Sequence, residues 1–312
     1  MIELISTAKS PMVDPHLHVW GWEIPVYLFL GGWVAGIMIL SGFFLFKGHH
    51  ERRHCICATL PLLALGLLSL GMLALFLDLE HKLQVYRLYL TFEPLSPMSW
   101  GAWILFLVYP VLIATVLVRP PDFLTLLWPG PRELADRLGR NVRLLKVIGA
   151  AGVAVGTLLG IYTGILLSAL GARPFWSSAL LGPLFLASGL SSGAAFAHVA
   201  ARDREERVAL ARADNAFLGS ELVLIVLFLL GLLTATQAHM EAARLVLGGP
   251  YTAVFWVFVV GLGIVVPLII QSLATSHRIA HTPVAPVLVL LGGLALRFVF
   301  VYAGQLSRWP QG

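Results

Sequence analysis

Two cysteines in 312 residues, Cys55 and Cys57, are too few thiolates for a four-thiolate iron-sulfur cluster, and the C-x-C pair has no second pair to complete a metal site. They read as structural thiols. Charge is scarce as well: Asp, Glu, Lys and Arg make up 12% of the chain, and the stretches 94–118, 147–172 and 174–201 contain none of them. A water-soluble fold of this size would not sustain such gaps. Alternation of apolar with polar residues over segments of about 10, which spanning strands require, is missing too. The fold expected is therefore all-α, because a backbone in lipid must satisfy its own hydrogen bonds. Residues 1–20 hold Asp14, His16 and His18 and lack the apolar run of a cleavable signal peptide, so the first span is expected to serve as its own insertion signal.

What is present is hydrophobic length. The chain is 58% hydrophobic with a mean hydropathy of +0.87. Eight stretches meet the requirement of about 20 apolar residues for a spanning helix: 23–46, 55–78, 98–118, 146–170, 175–200, 215–238, 251–275 and 283–305. Of the 21 Lys and Arg, 14 fall in the loops after spans 1, 3, 5 and 7 and six on the opposite side, with Arg297 inside a span. The positive-inside rule then puts those odd-numbered loops in the cytoplasm and both termini in the periplasm. A net charge of +5 and a pI near 9.5 follow from this layout, which removes the case for a nucleic-acid partner.

The run Pro25-Val26-Tyr27-Leu28-Phe29-Leu30-Gly31-Gly32, closing on Gly36, is echoed by Pro183-Leu184-Phe185-Leu186-Ala187-Ser188-Gly189, closing on Gly193. Both spans run the same way, so the repeat predicts two parallel four-helix bundles related by an axis along the membrane normal. Small residues are also what helix contacts in lipid prefer. The organisation expected is a 1–22 periplasmic segment, units over 23–170 and 171–305, and a 306–312 tail.

Ionisable groups inside a membrane are costly and mark function. By depth they gather at the outer end: Glu23 opening span 1, Asp78, Glu80 and His81 where span 2 leaves, Tyr162 two turns before span 4 ends, Arg173 just beyond it, and Arg297 at a depth similar to Tyr162. Glu221 is the exception, nearer the cytoplasmic side. The most polar segment is Asp78-Leu79-Glu80-His81-Lys82, followed by Glu93-Pro94-Leu95-Ser96-Pro97-Met98-Ser99-Trp100-Gly101-Ala102-Trp103. Prolines, serine caps and interfacial tryptophans explain the second string. They do not explain the first. The groups His49, His50, Glu51 and His54 and the run Arg202-Asp203-Arg204-Glu205-Glu206-Arg207 read as solvated cytoplasmic residues.

The string PLSPMSWGAW with Asp78-Leu79 upstream, the runs YTGILLSALGARPFW at 162–176 and PLFLASGLSSG at 183–193, and LGGLALRFVFVYAGQ at 291–305 together resemble the NrfD/PsrC family of polysulfide reductase-type membrane subunits. The resemblance covers nearly all of the sequence. It implies an eight-helix quinone-handling anchor in the bacterial or archaeal cytoplasmic membrane, binding menaquinone or ubiquinone and holding neither haem nor an iron-sulfur cluster. Its implied partners are a ferredoxin-like iron-sulfur subunit on the outer face and a molybdenum or tungsten catalytic subunit beyond it. Residue by residue, Tyr162 matches the family tyrosine that bonds a quinone oxygen, and Asp78 and Arg173 match polar positions of the same outer pocket. In the first helix this sequence departs: Trp22-Glu23-Ile24-Pro25 stands where the family pattern has Asn and His, so Glu23 is the candidate replacement.

The residue chemistry agrees. Quinone turnover moves two electrons and two protons, so a site needs donors to both ring oxygens and a carboxylate or imidazole path to water. Glu23, Asp78, His81 and Tyr162 are the candidate catalytic groups, with Arg173 and Arg297 completing the binding set. Two rival readings remain open here. A haem-bearing quinol oxidase needs opposed histidine pairs inside the membrane, whereas the ten histidines lie in loops or at helix ends. A transporter would use the repeat with intramembrane Glu221 and Arg297, whereas the polar groups gather at one end and transporters prefer the midplane. Arg297 itself needs a carboxylate partner, and Asp78 at the outer end of span 2 is the expected one.

Overall fold

The computed structural model describes residues 20–48, 56–79, 82–90, 93, 96–121, 135, 137–169, 173–201, 204–276 and 282–309. Among these there is no strand. The long helices are α1 (Glu23–Phe46), α2 (Ile56–Asp78), α4 (Pro97–Val118), α5 (Val142–Ser168), α6 (Leu181–Ala200), α7 (Arg204–Thr234) and α10 (Val284–Leu306). Short α3 (Arg87–Leu90) and α8 (Gln237–Leu247) lie between them. A π-helical segment, Val254–Val265, runs on as α9 (Val266–Thr275). Eight of the described helical stretches are long and apolar enough to cross a membrane, as expected.

Two boundaries differ from expectation for a physical reason. Helix α5 starts at Val142 rather than 146, because Asn141 caps it: Leu144 N donates to Asn141 Oδ1 at 3.1 Å. Helix α7 starts at Arg204 rather than 215. The charged run expected to be a solvated turn is instead helical from Arg204, and Glu206 within it is buried. Helix α8, where span 6 was expected to end, is amphipathic and buries Ala238, Ala242, Ala243 and Val246 on one face.

Burial identifies the central pair. In α1, 78% of the spanning window is buried and in α6 67%, against 33% for α2, α5 and α7. Helix α1 packs on α2, α5, α6 and α10, and α6 packs on α1, α5, α7 and α10. The two central helices meet through the glycines of the echoed motif. A Cβ on Gly36 would overlap the Gly189 carbonyl oxygen, and one on Gly193 would lie 2.6 Å from Gly36 C. Close backbone approach of this kind lets van der Waals packing hold helices together where lipid supplies no hydrophobic drive.

The two ends of the described chain meet on one side. Trp20 N donates to Gln305 Oε1 and Gln305 Nε2 returns a bond to Trp20 O, both at 3.1 Å. This is the terminal end of the bundle. The opposite, Arg-rich end carries the start of α5 and of α7.

Candidate functional site

A cavity of about 710 Å³ opens toward the terminal end between α1, α2, α4 and α5, with the 82–90 segment across it. Its walls are mostly apolar, including Met72, Leu73, Phe76, Met98, Leu105 and Leu166. Tyr27 from α1, Ser69 from α2, Tyr162 from α5, and Gln84 and Tyr89 from the intervening segment supply polar groups. Apolar walls with a few convergent polar atoms are the usual composition of a small-molecule pocket.

Tyr162 reaches this cavity because α4 offers no side chain opposite it. A Cβ on Gly101 would overlap the Tyr162 hydroxyl. Tyr162 and Tyr27 are otherwise buried. Burial, and then the nearby Tyr109, push the Tyr89 phenol above its ordinary value, so at neutral pH it keeps its proton and can donate.

The expected site residues divide. Tyr162 lines the cavity. Asp78 closes α2 next to the lining residue Leu79, within electrostatic range of Glu23 at the start of α1, so two half-buried carboxylates sit together beside the cavity. Arg173 turns away from it: its Nη1 donates to Ser307 O at 3.0 Å, while Phe175 N donates to Ser307 Oγ at 3.3 Å, which ties the α5–α6 connection to the end of α10. His81 and Glu80 lie outside the described residues. Tyr27, Ser69, Gln84 and Tyr89 were not anticipated. Tyr27 had a signal, being the one hydroxyl within the echoed Pro25–Gly32 motif.

Arg297 is not in the cavity either. It is 1% exposed, stacked on Phe185 with its guanidinium carbon 4.0 Å from the ring centre, and its Nη2 donates to Phe185 O at 3.0 Å. The glycines again make the room, since a Cβ on Gly32 would lie 3.2 Å from Nη2. Its carboxylate neighbour is Glu221 of α7, not the expected Asp78. The correction has a geometric cause: depth along α10 can be read from sequence, whereas the direction a side chain takes around the helix places Arg297 toward α6 and α7. Glu221 in turn hydrogen-bonds the Ser188 side chain.

The family model described as "Polysulphide reductase, NrfD" matches residues 10–307. The sequence is 32% identical over 311 residues to Protein NrfD of Escherichia coli (strain K12), covering 93% of this protein and 96% of that one. It is 29% identical over 310 residues to the C polypeptide of the polysulfide reductase of Wolinella succinogenes, covering 92% and 94%. Similarity extends to the C component of the selenate reductase of Mesobacillus selenatarsenatis, 25% identical over 322 residues, covering 92% and 74%. With eight spanning helices among the described residues and a family match over nearly its whole length, the chain is a multi-pass membrane protein belonging to the polysulphide reductase NrfD family.

Proposed function

We propose that this protein is the quinone-reactive membrane subunit of a respiratory oxidoreductase complex, exchanging electrons between the quinone pool and an iron-sulfur subunit docked on the outer face. The cavity carries the reading: about 710 Å³ of mostly apolar space, with tyrosines on three sides, suits a ring bearing two carbonyl oxygens and a greasy tail. Menaquinone or ubiquinone is the substrate. Terminal chemistry on a molybdenum or tungsten centre belongs to a further subunit, in line with relatives named as parts of polysulfide and selenate reductases.

Each residue has a distinct task in this scheme. Tyr162, and Tyr89 or Tyr27 across from it, donate hydrogen bonds to the ring oxygens and hold the head group. Two protons accompany two electrons, and Asp78 and Glu23 exchange them with water beside the cavity. Tyr162→Phe removes one hydroxyl and keeps the ring, so the protein should accumulate normally while quinone affinity falls. A lost buried hydrogen bond costs about 1–3 kcal/mol, roughly tenfold or more in affinity. Gly101→Ala should have a comparable effect by displacing the same hydroxyl. Titration with a quinone analogue checks both, and unchanged affinity in Tyr162→Phe removes that residue from the site.

Orientation follows from the charge asymmetry, with the cavity opening outside the cytoplasm and the Arg-rich end inside. A reporter enzyme active only outside the cytoplasm should be active when fused after Gly312 and silent when fused near Arg137. The reverse pattern would move the cavity, and its partner subunit, to the cytoplasmic face.

A further inference from the structure

Helix α7 carries Glu206, Asp214 and Glu221 at spacings of eight and seven, which places all three along one face, and all three are buried. By the helical rise, Asp214 lies about 15 Å and Glu221 about 25 Å from the start of α7 at the Arg-rich end. Asp214 accepts from Ser191 Oγ at 3.0 Å and from Gln271 Nε2 at 2.6 Å. Glu221 accepts from Ser188 and faces Arg297. These groups come from α6, α7, α9 and α10, and none of them lines the cavity.

Charge does not balance in this cluster. Two carboxylates share the cluster with one guanidinium, which faces Glu221. The other elements around α7 do not correct this: α9 and the π segment have no ionisable residue, α10 has Arg297 and, five residues on toward its terminal end, Tyr302, α6 adds His198 near its Arg-rich end, and α8 has His239, Glu241 and Arg244 at the opposite end of α7. Along α7 itself, Glu205 and Arg207 stay toward the Arg-rich end, and Arg212, two residues before Asp214, is exposed where Asp214 is buried. An uncompensated charge in lipid is expensive enough that a proton is retained instead. Polar atoms are also left over within the cluster. Gln271 and Arg297 are each 1% exposed, yet Gln271 Oε1 and Arg297 Nε and Nη1 have no hydrogen-bond partner among the described residues. Enclosed donors and an enclosed acceptor beside two carboxylates are suited to bridging water.

We propose that Asp214 and Glu221 form a proton-binding site, sharing one proton between two carboxylates, on a route that runs along α7 from the Arg-rich end toward Arg297. The step is a simple transfer: water at the Arg-rich end gives up a proton, one carboxylate takes it as a carboxylic acid, and the second takes it on in turn. No electron moves. The site stands whether or not the cavity holds a quinone.

Infrared difference spectroscopy of the full-length protein in lipid nanodiscs reads it directly. A protonated carboxyl C=O band should be present at neutral pH, shift in heavy water, and be lost in both Asp214→Asn and Glu221→Gln, since either balances the cluster at one carboxylate and one guanidinium. Replacing potassium by sodium in the buffer should not remove it. The proposal is overturned by no band in the parent protein, by a band surviving in either variant, by insensitivity to heavy water, which would mean a sealed structural proton, or by bleaching with sodium, which would mean a metal-ion site. Should either variant fail to accumulate, Ser188→Ala and Ser191→Ala each remove one donor and should move the band, and an unmoved band overturns the assignment. Quinone titration of Tyr162→Phe reads the cavity alone, so the two readings fail separately.

Discussion

Arg297→Ala should sharply reduce the amount of folded protein recovered from membranes, and adding Glu221→Gln should restore part of it. The guanidinium is fully enclosed among α1, α6, α7 and α10, bonded to Phe185 O and facing Glu221. Removing it leaves Phe185 O without its donor and Glu221 either an unpaired charge in lipid or obliged to draw a proton, at a cost of about 3–5 kcal/mol. Against a typical stability of about 5–15 kcal/mol, that is a large fraction. Gln at 221 keeps the Ser188 contact and removes the stranded charge. Asp78→Ala, by contrast, should give no rescue. Fluorescence-detected gel filtration of the three variants decides: rescue by Asp78→Ala, or none by Glu221→Gln, would mean that Arg297 is held by something other than Glu221.

Gly36→Val should be at least as damaging. Even the first carbon of a side chain there overlaps the Gly189 carbonyl oxygen and would lie 2.8 Å from its carbon, and backbone cannot swing aside as a flexible side chain can. Helices α1 and α6 must then separate along the contact that also includes Gly32 and Gly193. Overpacking by a single methylene costs about 1–3 kcal/mol, and a branched side chain at a backbone contact costs more. Gly66→Ala and Gly219→Ala are the controls. Nothing lies within 4 Å of a Cβ at either, so each should be silent or gain up to about 1 kcal/mol from better helix propensity. Thermal melting in detergent measures the set, and a Gly36→Val protein melting with the parent would deny the α1–α6 contact.

Spanning helices could be read from the sequence because lipid imposes one rule on every residue of a span, and seven charge-poor stretches start within six residues of the observed helix. The eighth exposes the limit of that rule. Span 6 was expected to start at 215 because Glu205, Glu206 and Asp214 look like water-facing residues, whereas tertiary partners bury two of them and the helix runs through all three. Asp214 was thereby excluded from the membrane and overlooked. Its donors, Ser191 and Gln271, are distant in sequence, and no periodicity connects them to it. For the cavity, the depth of the polar residues pointed to the end of the bundle where it opens, and the family resemblance singled out Tyr162, which lines it. Tyr27 was concealed in an apolar motif, and Gln84 and Tyr89 in a segment with no helical pattern to orient them. Arg173 looked like a site residue because it follows a span at the correct end, yet it is committed to Ser307.

The reciprocal Trp20–Gln305 pair bears on how the protein is made. Helix α1 is made before the other seven described spans and is the most enclosed of the eight, while Gln305, Arg297 and the rest of α10 are made after those seven. The part of α1 that packs on α10 must therefore wait in the bilayer, open to lipid, until α10 has been made. A polypeptide interrupted before α10 leaves Glu221 without its cation and α1 without its clasp. Such a fragment carries its own mark for membrane quality control, and a partner subunit would have only completed copies to join.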